Sequence, residues 1–408
     1  MKNQRHILVI SQYFFPEQFR INDICENWVS KGYKVTVITG IPNYPEGKFH
    51  KGYGFFKRNN ETYKGINIIR IPIIPRGNNP IQLILNYFSF VLSGFFWNFI
   101  TSIKADNVFI FGLSPITLAL PGVWYAKKRK IPCILYVQDL WPESIEIMIG
   151  LKNKKAIKVI EALVLYIYNR CDRILATSES FIKSIASRGI PAKKLNFFPQ
   201  YAEDIYRPSK SFSEVDHLID VQFFNITFTG NIGNAQGLDI LIDVAIKISQ
   251  NGTPLPIKFN LVGDGRYKNK LLEKVKVNNV ENLFNFIDRQ PACLIPAILG
   301  LSDCAFLSLE KSPLFSMTIP AKLQSYMACG SLTLASAEGE VNKIINDSKS
   351  GFCVPPGDAK ALYDVILSLV KIPIKDRNNM GLNALAYSNQ NFNKENLLNS
   401  LDQYLNSN

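Results

Sequence analysis

Gly230, Asn231, Ile232 and Gly233 follow an apolar run at 223–229 and precede a stretch, 238–250, whose Leu238, Leu241, Ile242, Ala245 and Ile248 fall on one helical face. Strand, glycine turn and helix start make an anion site. Glycine lets the backbone approach a ligand closely, and the N–H groups of a first helical turn point at it. A second apolar run, 257–262, ends in Gly263-Asp264-Gly265, and a third stretch reads Pro320-Ala321-Lys322-Leu323-Gln324-Ser325-Tyr326. Proline followed by a helical run puts Lys322 in a first turn, where a cation opposes the helix dipole unless an anion is bound there. An exposed surface lysine would give the same pattern on its own. A dinucleotide fingerprint would be GxGxxG with an acid about twenty residues on. The spacing here is GxxG, with Asp264 well beyond that distance from Gly230, which argues against such a cofactor.

Two carboxylates stand at the other places where open α/β sheets present groups to ligands. Asp139 follows the apolar run 134–137, and Glu17 lies in the loop after the run 7–10. Each fits an active-site role or that of a carboxylate capping a helix.

The elements that must position these residues are legible as alternation. Short runs rich in Ile, Val or Phe, at 7–10, 35–39, 108–111, 134–137, 173–177, 223–229, 257–262 and 305–309, alternate with helical stretches. This is the pattern of doubly wound parallel sheets. A polar break at 202–220 divides it into two sets, and 408 residues suit two cores rather than one. Seven cysteines, scattered and without a CxxC pair, and only three histidines point to a reducing compartment and no structural zinc. The apolar start at 7–10 is too short for a signal sequence, so a cytosolic location is expected. All of the net charge of +13 falls in residues 1–205, which implies an anionic partner there, a nucleic acid or an acidic membrane. No nucleic-acid module is present, and the uncharged stretch 81–100 favours lipid. In that stretch Gln82, Asn86, Ser89, Ser93 and Asn98 share one narrow helical face. Such a helix suits burial against a sheet or shallow contact with a bilayer, whereas a true span would break the first sheet. The run Lys127, Lys128, Arg129 and Lys130 suits an anionic membrane face or a solvated helix end.

The combination is more specific than its parts. "ILVISQYFFPEQFRINDICENWVSKGYKVTVITGIPNYPEG" at 7–47, "YVQDLWPES" at 136–144, "FTGNIGNAQGLDILIDVA" at 228–245, "LVGDG" at 261–265, "PAKLQSYMACG" at 320–330 and "GFCVPPGD" at 351–358 occur in the order found in family-4 glycosyltransferases. The whole chain resembles that family, and in wording its bacterial branch of O-antigen and capsule clusters that transfers N-acetyl-L-fucosamine. The resemblance implies a GT-B fold of two Rossmann-like domains facing each other across a cleft. It divides this chain into 1–205, binding the acceptor, 206–385, binding the nucleotide sugar, and 386–408, a helical segment crossing back. It implies a UDP-sugar donor, transfer with retention, no cofactor and no metal, and a polyprenyl-diphosphate-linked sugar as acceptor at the cytoplasmic face of an inner membrane. By resemblance, the diphosphate falls to Gly230, Asn231, Ile232, Gly233, Gln236, Gly263, Asp264 and Lys322, with Arg20 assisting from the facing domain. Asp139 orients the sugar or acceptor hydroxyl, and Glu17 is the second carboxylate. The sequence departs from the family where an Arg and a Lys usually hold the diphosphate, here Asn231 and Gln236, and where two glutamates usually stand, here Met317 and Ser325. Lys322 is therefore left as the main cation. A GT-B-shaped UDP-N-acetylhexosamine epimerase would share the phosphate loops and is the alternative.

Overall fold

The computed structural model describes residues 4–77, 79–150, 153–209 and 211–406. The chain divides into two compact units. One runs to Phe198 and takes back the segment from Leu398, and the other spans Pro199–Leu397. The break precedes the expected 205, and the returned segment is shorter than 386–408. The reason is the helix Ile374–Asn391, which stays in the second unit packed on the helix Ala321–Ala328, with Gly381 close against the Gly330 carbonyl.

The first unit holds β1 (His6–Ile10), β2 (Lys34–Gly40), β3 (Asn60–Tyr63), β4 (Ile66–Ile71), β5 (Asn107–Gly112), β6 (Cys133–Val137), β7 (Arg173–Ala176) and β8 (Leu195–Phe197), in the order β3-β4-β2-β1-β5-β6-β7-β8. Only the β3–β4 pair is antiparallel. The second unit holds β9 (Phe224–Thr229), β10 (Ile257–Val262), β11 (Phe284–Ile287), β12 (Cys304–Ser308), β13 (Thr333–Ser336) and β14 (Gly351–Val354), all parallel in the order β11-β10-β9-β12-β13-β14. In each sheet the first strand is central and the chain winds outward on one side before crossing to the other. The strand order therefore reverses beside β1 and beside β9, where loops at the carboxyl ends part and leave a crevice. Strands β1, β5, β6, β9 and β12 are buried throughout, which is why they read as continuous apolar runs.

A polar seam crosses the second core. Asn260 on β10 donates to Asn225 Oδ1 at 2.9 Å, and Asn285 on β11 donates to Asn260 Oδ1 at 2.9 Å. Asn225 and Asn285 also donate to the carbonyls of Asp220 and Leu218, so the seam ties three adjacent strands to the chain that precedes them, and a one-residue slip of register would break its cross-strand bonds.

The helix Pro80–Ile100 lies on the first sheet with its polar face inward. Asn86 Nδ2 donates to Ile74 O at 2.6 Å, Ser89 Oγ accepts from Ile74 N at 2.9 Å, and Ser93 Oγ donates to Pro72 O at 2.5 Å. Asn98 Nδ2 donates to Pro121 O at 2.9 Å, and Gly94 admits Pro121 where a Cβ would lie 2.3 Å from its ring. The side chains from 398 onward complete the first unit. Leu398, Leu401 and Leu405 are buried, Lys31 pairs with Asp402 at 2.6 Å, and Asn107 Nδ2 donates to Leu405 O at 3.3 Å.

Candidate active site

In the second unit β9 and β10 run in register to Thr229 and Val262, so the two glycine turns that follow meet side by side. Gly230 N–H donates to Val262 O at 2.9 Å and Ile232 N–H to Asp264 O at 2.8 Å. The approach is too close for side chains: a Cβ on Gly263 would lie 1.9 Å from Gly230 O, and one on Gly265 2.2 Å from Ile232 O. Gly230 (φ +128°) and Gly263 (φ +144°) also occupy backbone conformations that favour glycine.

Lys322 lies over this turn. It stands in the first turn of the helix Ala321–Ala328, whose N-cap is Pro320, as the proline predicts. Its Cε packs against Gly230, its Nζ donates to Gln236 Oε1, and the ammonium sits 4.1 Å from the centroid of the Phe228 ring. One helical turn on, the buried Tyr326 hydroxyl accepts from Thr229 N–H at 3.0 Å and ties the helix to the end of β9. Lys322 and Tyr326 are thus paired by i,i+4 spacing on one face. Sequence reasoning passed over Tyr326, although that spacing was its signal.

Burial lowers the Lys322 pKa to about 7. A cation desolvated at a helix N-terminus is poorly stabilised until an anion arrives. Diphosphate binding should therefore raise its pKa and take up a proton. The sign follows: the Lys322 contribution to affinity is complete below about pH 7 and weakens by up to about tenfold per pH unit above it. Calorimetry at about pH 8 in buffers of different ionisation enthalpy checks this, and binding without proton uptake would contradict it.

These groups line a cavity of about 570 Å³, together with Tyr206, Asn231, Asp264, Arg289, Gln290 and Ser325. That volume suits a nucleotide-sized ligand. Arg289, in the loop after β11, is a second cation in the cavity that sequence reasoning missed, since nothing in its local pattern marks it. Arg266 and Lys270 line an adjoining depression with Asn231 and Gly233.

Two expected donor contacts are corrected. Ile232 is fully buried in the core, with its N–H bonded to Asp264 and its carbonyl accepting from Tyr267, so it braces the turn rather than facing a ligand. Gly230 N–H is likewise spent on Val262. Gln236 turns its amide oxygen to Lys322 and would act through that lysine. Asn231, Gly263 and Asp264 do line the cavity, though Asp264 Oδ1 accepts from Gly265 N–H at 2.8 Å. Met317 follows the short helix Pro313–Ser316, while Ser325 lines the cavity.

The first unit gathers its candidates at the carboxyl edge of its own sheet. Glu17 is buried, and its Oε1 accepts from Asn43 N–H and Tyr44 N–H, both at 2.7 Å. The helix Arg20–Ser30 is instead preceded by Phe19 with no side-chain cap, so the carboxylate staples the loop after β2 to the loop after β1. Burial raises its pKa from 4.5 to about 7, against the pull of those two hydrogen bonds. The folded state therefore holds the proton to higher pH than the unfolded chain. Stability from this group is full below pH 4.5 and lost as pH rises through about 7, ~3 kcal/mol in all. In Glu17→Gln this slope should vanish when urea midpoints of the first unit are followed between those limits.

Asp139 closes the loop after β6. Its Oδ2 accepts from Ser114 N–H at 3.0 Å, while Ser114 Oγ accepts from Trp141 Nε1 at 3.0 Å, binding the loops after β5 and β6 together. Burial pushes its pKa up, and the bonds from Ser114 draw it back. Asp139 does not cap the helix Glu143–Ile149, whose N-cap is Pro142. Burial raises the pKa of both Tyr13 and Tyr87; the Arg76 charge opposes it at each, while Glu17 adds to it at Tyr13 and Asp139 adds to it at Tyr87. Rings of Tyr13, Phe19 and Tyr44 pack at 5.4–5.6 Å around this corner, and the Arg76 guanidinium lies 5.3 Å from the Tyr44 centroid. Arg20 belongs to this unit too; it partly offsets the effect of burial on Tyr136.

Each unit matches a profile of its own. Residues 19–200 match Glycosyltransferase Family 4, and residues 224–371 match Glycosyl transferases group 1. The chain is a family-4 glycosyltransferase. The epimerase alternative finds no support there. This glycosyltransferase is 26% identical over 419 residues to the putative colanic acid biosynthesis glycosyl transferase WcaI of Escherichia coli K12, covering 96% of this chain and 97% of the relative. Its fold is that of sucrose-phosphate synthase from Thermosynechococcus elongatus (TM-score 0.75, 15% identity, 98% of each chain). It is also that of HepE from Anabaena, solved in complex with UDP-glucose (TM-score 0.70, 16% identity, 98% of this chain and 99% of that one). Both units of the glycosyltransferase are therefore Rossmann-like domains of the GT-B class.

Proposed function

We propose that this glycosyltransferase moves a sugar from a UDP-sugar, with retention, onto a polyprenyl-diphosphate-linked sugar at the cytoplasmic face of the inner membrane, in surface-polysaccharide biosynthesis. The observation that carries it is Lys322, desolvated over the Gly230 turn in a cavity that Arg289 also lines. Lys322 meets an amide oxygen and a ring rather than a carboxylate, and with Arg289 it makes a place for a diphosphate. The UDP-glucose held by HepE supports UDP as the carrier, and the colanic acid role in the name of WcaI supports a surface polysaccharide. N-acetyl-L-fucosamine is the first sugar to test, on the resemblance stated above.

In this reading the bond from the anomeric carbon to the diphosphate oxygen breaks as the acceptor hydroxyl attacks from the same face. The departing phosphate oxygen takes the hydroxyl proton, and Lys322 and Arg289 meet the growing negative charge without a metal. Asp139 orients a hydroxyl of the sugar or acceptor, while Glu17 holds the loop that frames it. A panel of UDP-sugars offered with polyprenyl-diphosphate-N-acetylglucosamine, with products read by mass and NMR, tests the proposal. One donor should yield an α- or β-product matching its own anomeric configuration. Inversion, or transfer only from a different nucleotide, would overturn it.

A further inference from the structure

The helix Pro80–Ile100 is inverted relative to an ordinary surface helix: Asn86, Ser89, Ser93 and Asn98 bond inward to the segment after β4 and to the helix Leu120–Arg129, and a continuous apolar stripe faces outward. Ile84, Phe88, Leu92, Phe95, Phe96 and Phe99 recur at helical spacing along that stripe, each between 42% and 65% exposed. At about 1.5 Å per residue the stripe runs about 24 Å, and no charged residue interrupts it.

What surrounds the stripe identifies its occupant. The neighbouring helix Leu120–Arg129 places Trp124 against Phe95, 5.6 Å between ring centroids, with its Nε1 donating to Tyr166 OH at 3.2 Å. Beyond these amphipathic rings lie the exposed cations Lys127, Lys130 and Arg170 around one depression. Lys128 Nζ and Arg129 Nη2 donate to the carbonyls of Asn98 and Thr101 at the end of the apolar helix, at 2.8 and 3.0 Å, and Lys128 hangs 5.5 Å over the Phe99 ring. Apolar face, aromatic rim and basic flank succeed one another as hydrocarbon, interface and anionic headgroup do in a bilayer leaflet. A partner protein would need no such order.

We infer that this helix lies lengthwise in the surface of an anionic bilayer, without crossing it, and forms the membrane-side wall of the acceptor site. It cannot span while Asn86 and Ser93 remain bonded to the segment that follows β4, and Asn98 to the helix Leu120–Arg129. The wall is shared with the site because Asn86 Oδ1 accepts from Gln12 Nε2 at 2.7 Å in the loop after β1, on the same carboxyl edge of the sheet as Glu17 and Asp139. An amphiphilic acceptor would then enter sideways from the leaflet. The wall and this entry rest on the proposed transfer reaction, whereas the docking on the bilayer does not.

The test uses the full chain, with Phe88→Ser/Phe96→Ser and, separately, Lys127→Gln/Lys130→Gln, all at exposed positions. Flotation with vesicles of phosphatidylcholine containing phosphatidylglycerol should show wild-type binding that weakens in salt. The Phe pair should lower partitioning roughly 30- to 100-fold and the Lys pair about tenfold or more. No wild-type binding, or equal binding by the Phe variant, would overturn the inference. So would a wild-type dimer that the Phe variant makes monomeric with vesicle binding unchanged, because the stripe would then face a second copy. With a short-chain, water-soluble acceptor the Phe variant should keep wild-type activity, and with the acceptor embedded in vesicles it should lose about as much as its binding. Equal loss on both acceptors would overturn lateral entry. If wild type uses neither acceptor, the reaction is misassigned while the flotation result still decides the docking.

Discussion

Lys322→Ala should lower the turnover of sugar transfer by roughly two to three orders of magnitude without lowering the thermal midpoint of the second unit. The two halves of that result have separate causes. Turnover depends on charge brought to the leaving diphosphate, and Lys322 is held for it by Gly230, Gln236 and the Phe228 ring. Stability does not depend on that charge, because burial already disfavours the protonated form and lowers its pKa to about 7. Lys322→Met, which keeps the apolar stem, should be as inactive as the alanine variant. Steady-state rates with saturating donor, beside calorimetric melts of the same preparations, check both halves. Activity within a few-fold of wild type would remove Lys322 from the chemistry.

Gly263→Ala should cost the second unit about 3 kcal/mol or more and abolish measurable donor binding. Its Cβ would stand 1.9 Å from the carbonyl oxygen of Gly230, and backbone cannot swing aside as a side chain can. To relieve the clash the two turns must part, which breaks the bond from Gly230 to Val262 and moves the surface on which Lys322 rests. Gly252 is the control. Its backbone, φ +75° and ψ 177°, also favours glycine, but nothing lies within 4 Å of its Cβ position, so its alanine variant should carry backbone strain alone, about 1–2 kcal/mol, and leave donor binding intact. If urea denaturation gave the two variants equal losses, close packing of the two turns would not be what fixes the site geometry.

Residues that carry a local physical signature were legible before any coordinates. The proline before Lys322 places it in a first helical turn, and the two glycine turns sit at the ends of apolar runs. Central strands read clearly because both of their faces are buried. Strand β3, Asn-Glu-Thr-Tyr at the exposed sheet edge, and β8, of only three residues, lack a run of apolar side chains and went unseen. The cavity is less legible than the fold because its lining is assembled from turns distant in sequence. Arg289 stands in a polar loop like any other, and only the pairing of β10 with β11 brings it beside Asp264. Ile232 fails for the opposite reason: the motif suggests a row of donors, but the turn consumes its own N–H groups to dock on its neighbour. The polar stripe of the helix Pro80–Ile100 was visible, whereas its direction was not, since periodicity alone does not say which face of an amphipathic helix meets the protein.

The segment from Leu398 belongs to the first unit, although the whole of the second is encoded before it. During synthesis the first sheet therefore emerges long before Asp402 can reach Lys31, Leu405 can reach Asn107, or the ring of Tyr404 can take its place 4.8 Å from the Arg173 guanidinium. At about 5–20 residues per second, the second unit takes roughly 10 to 40 seconds to appear. Throughout that interval the nascent first unit waits with one flank open, and its last stitches are made only when the ribosome delivers residues 398–406.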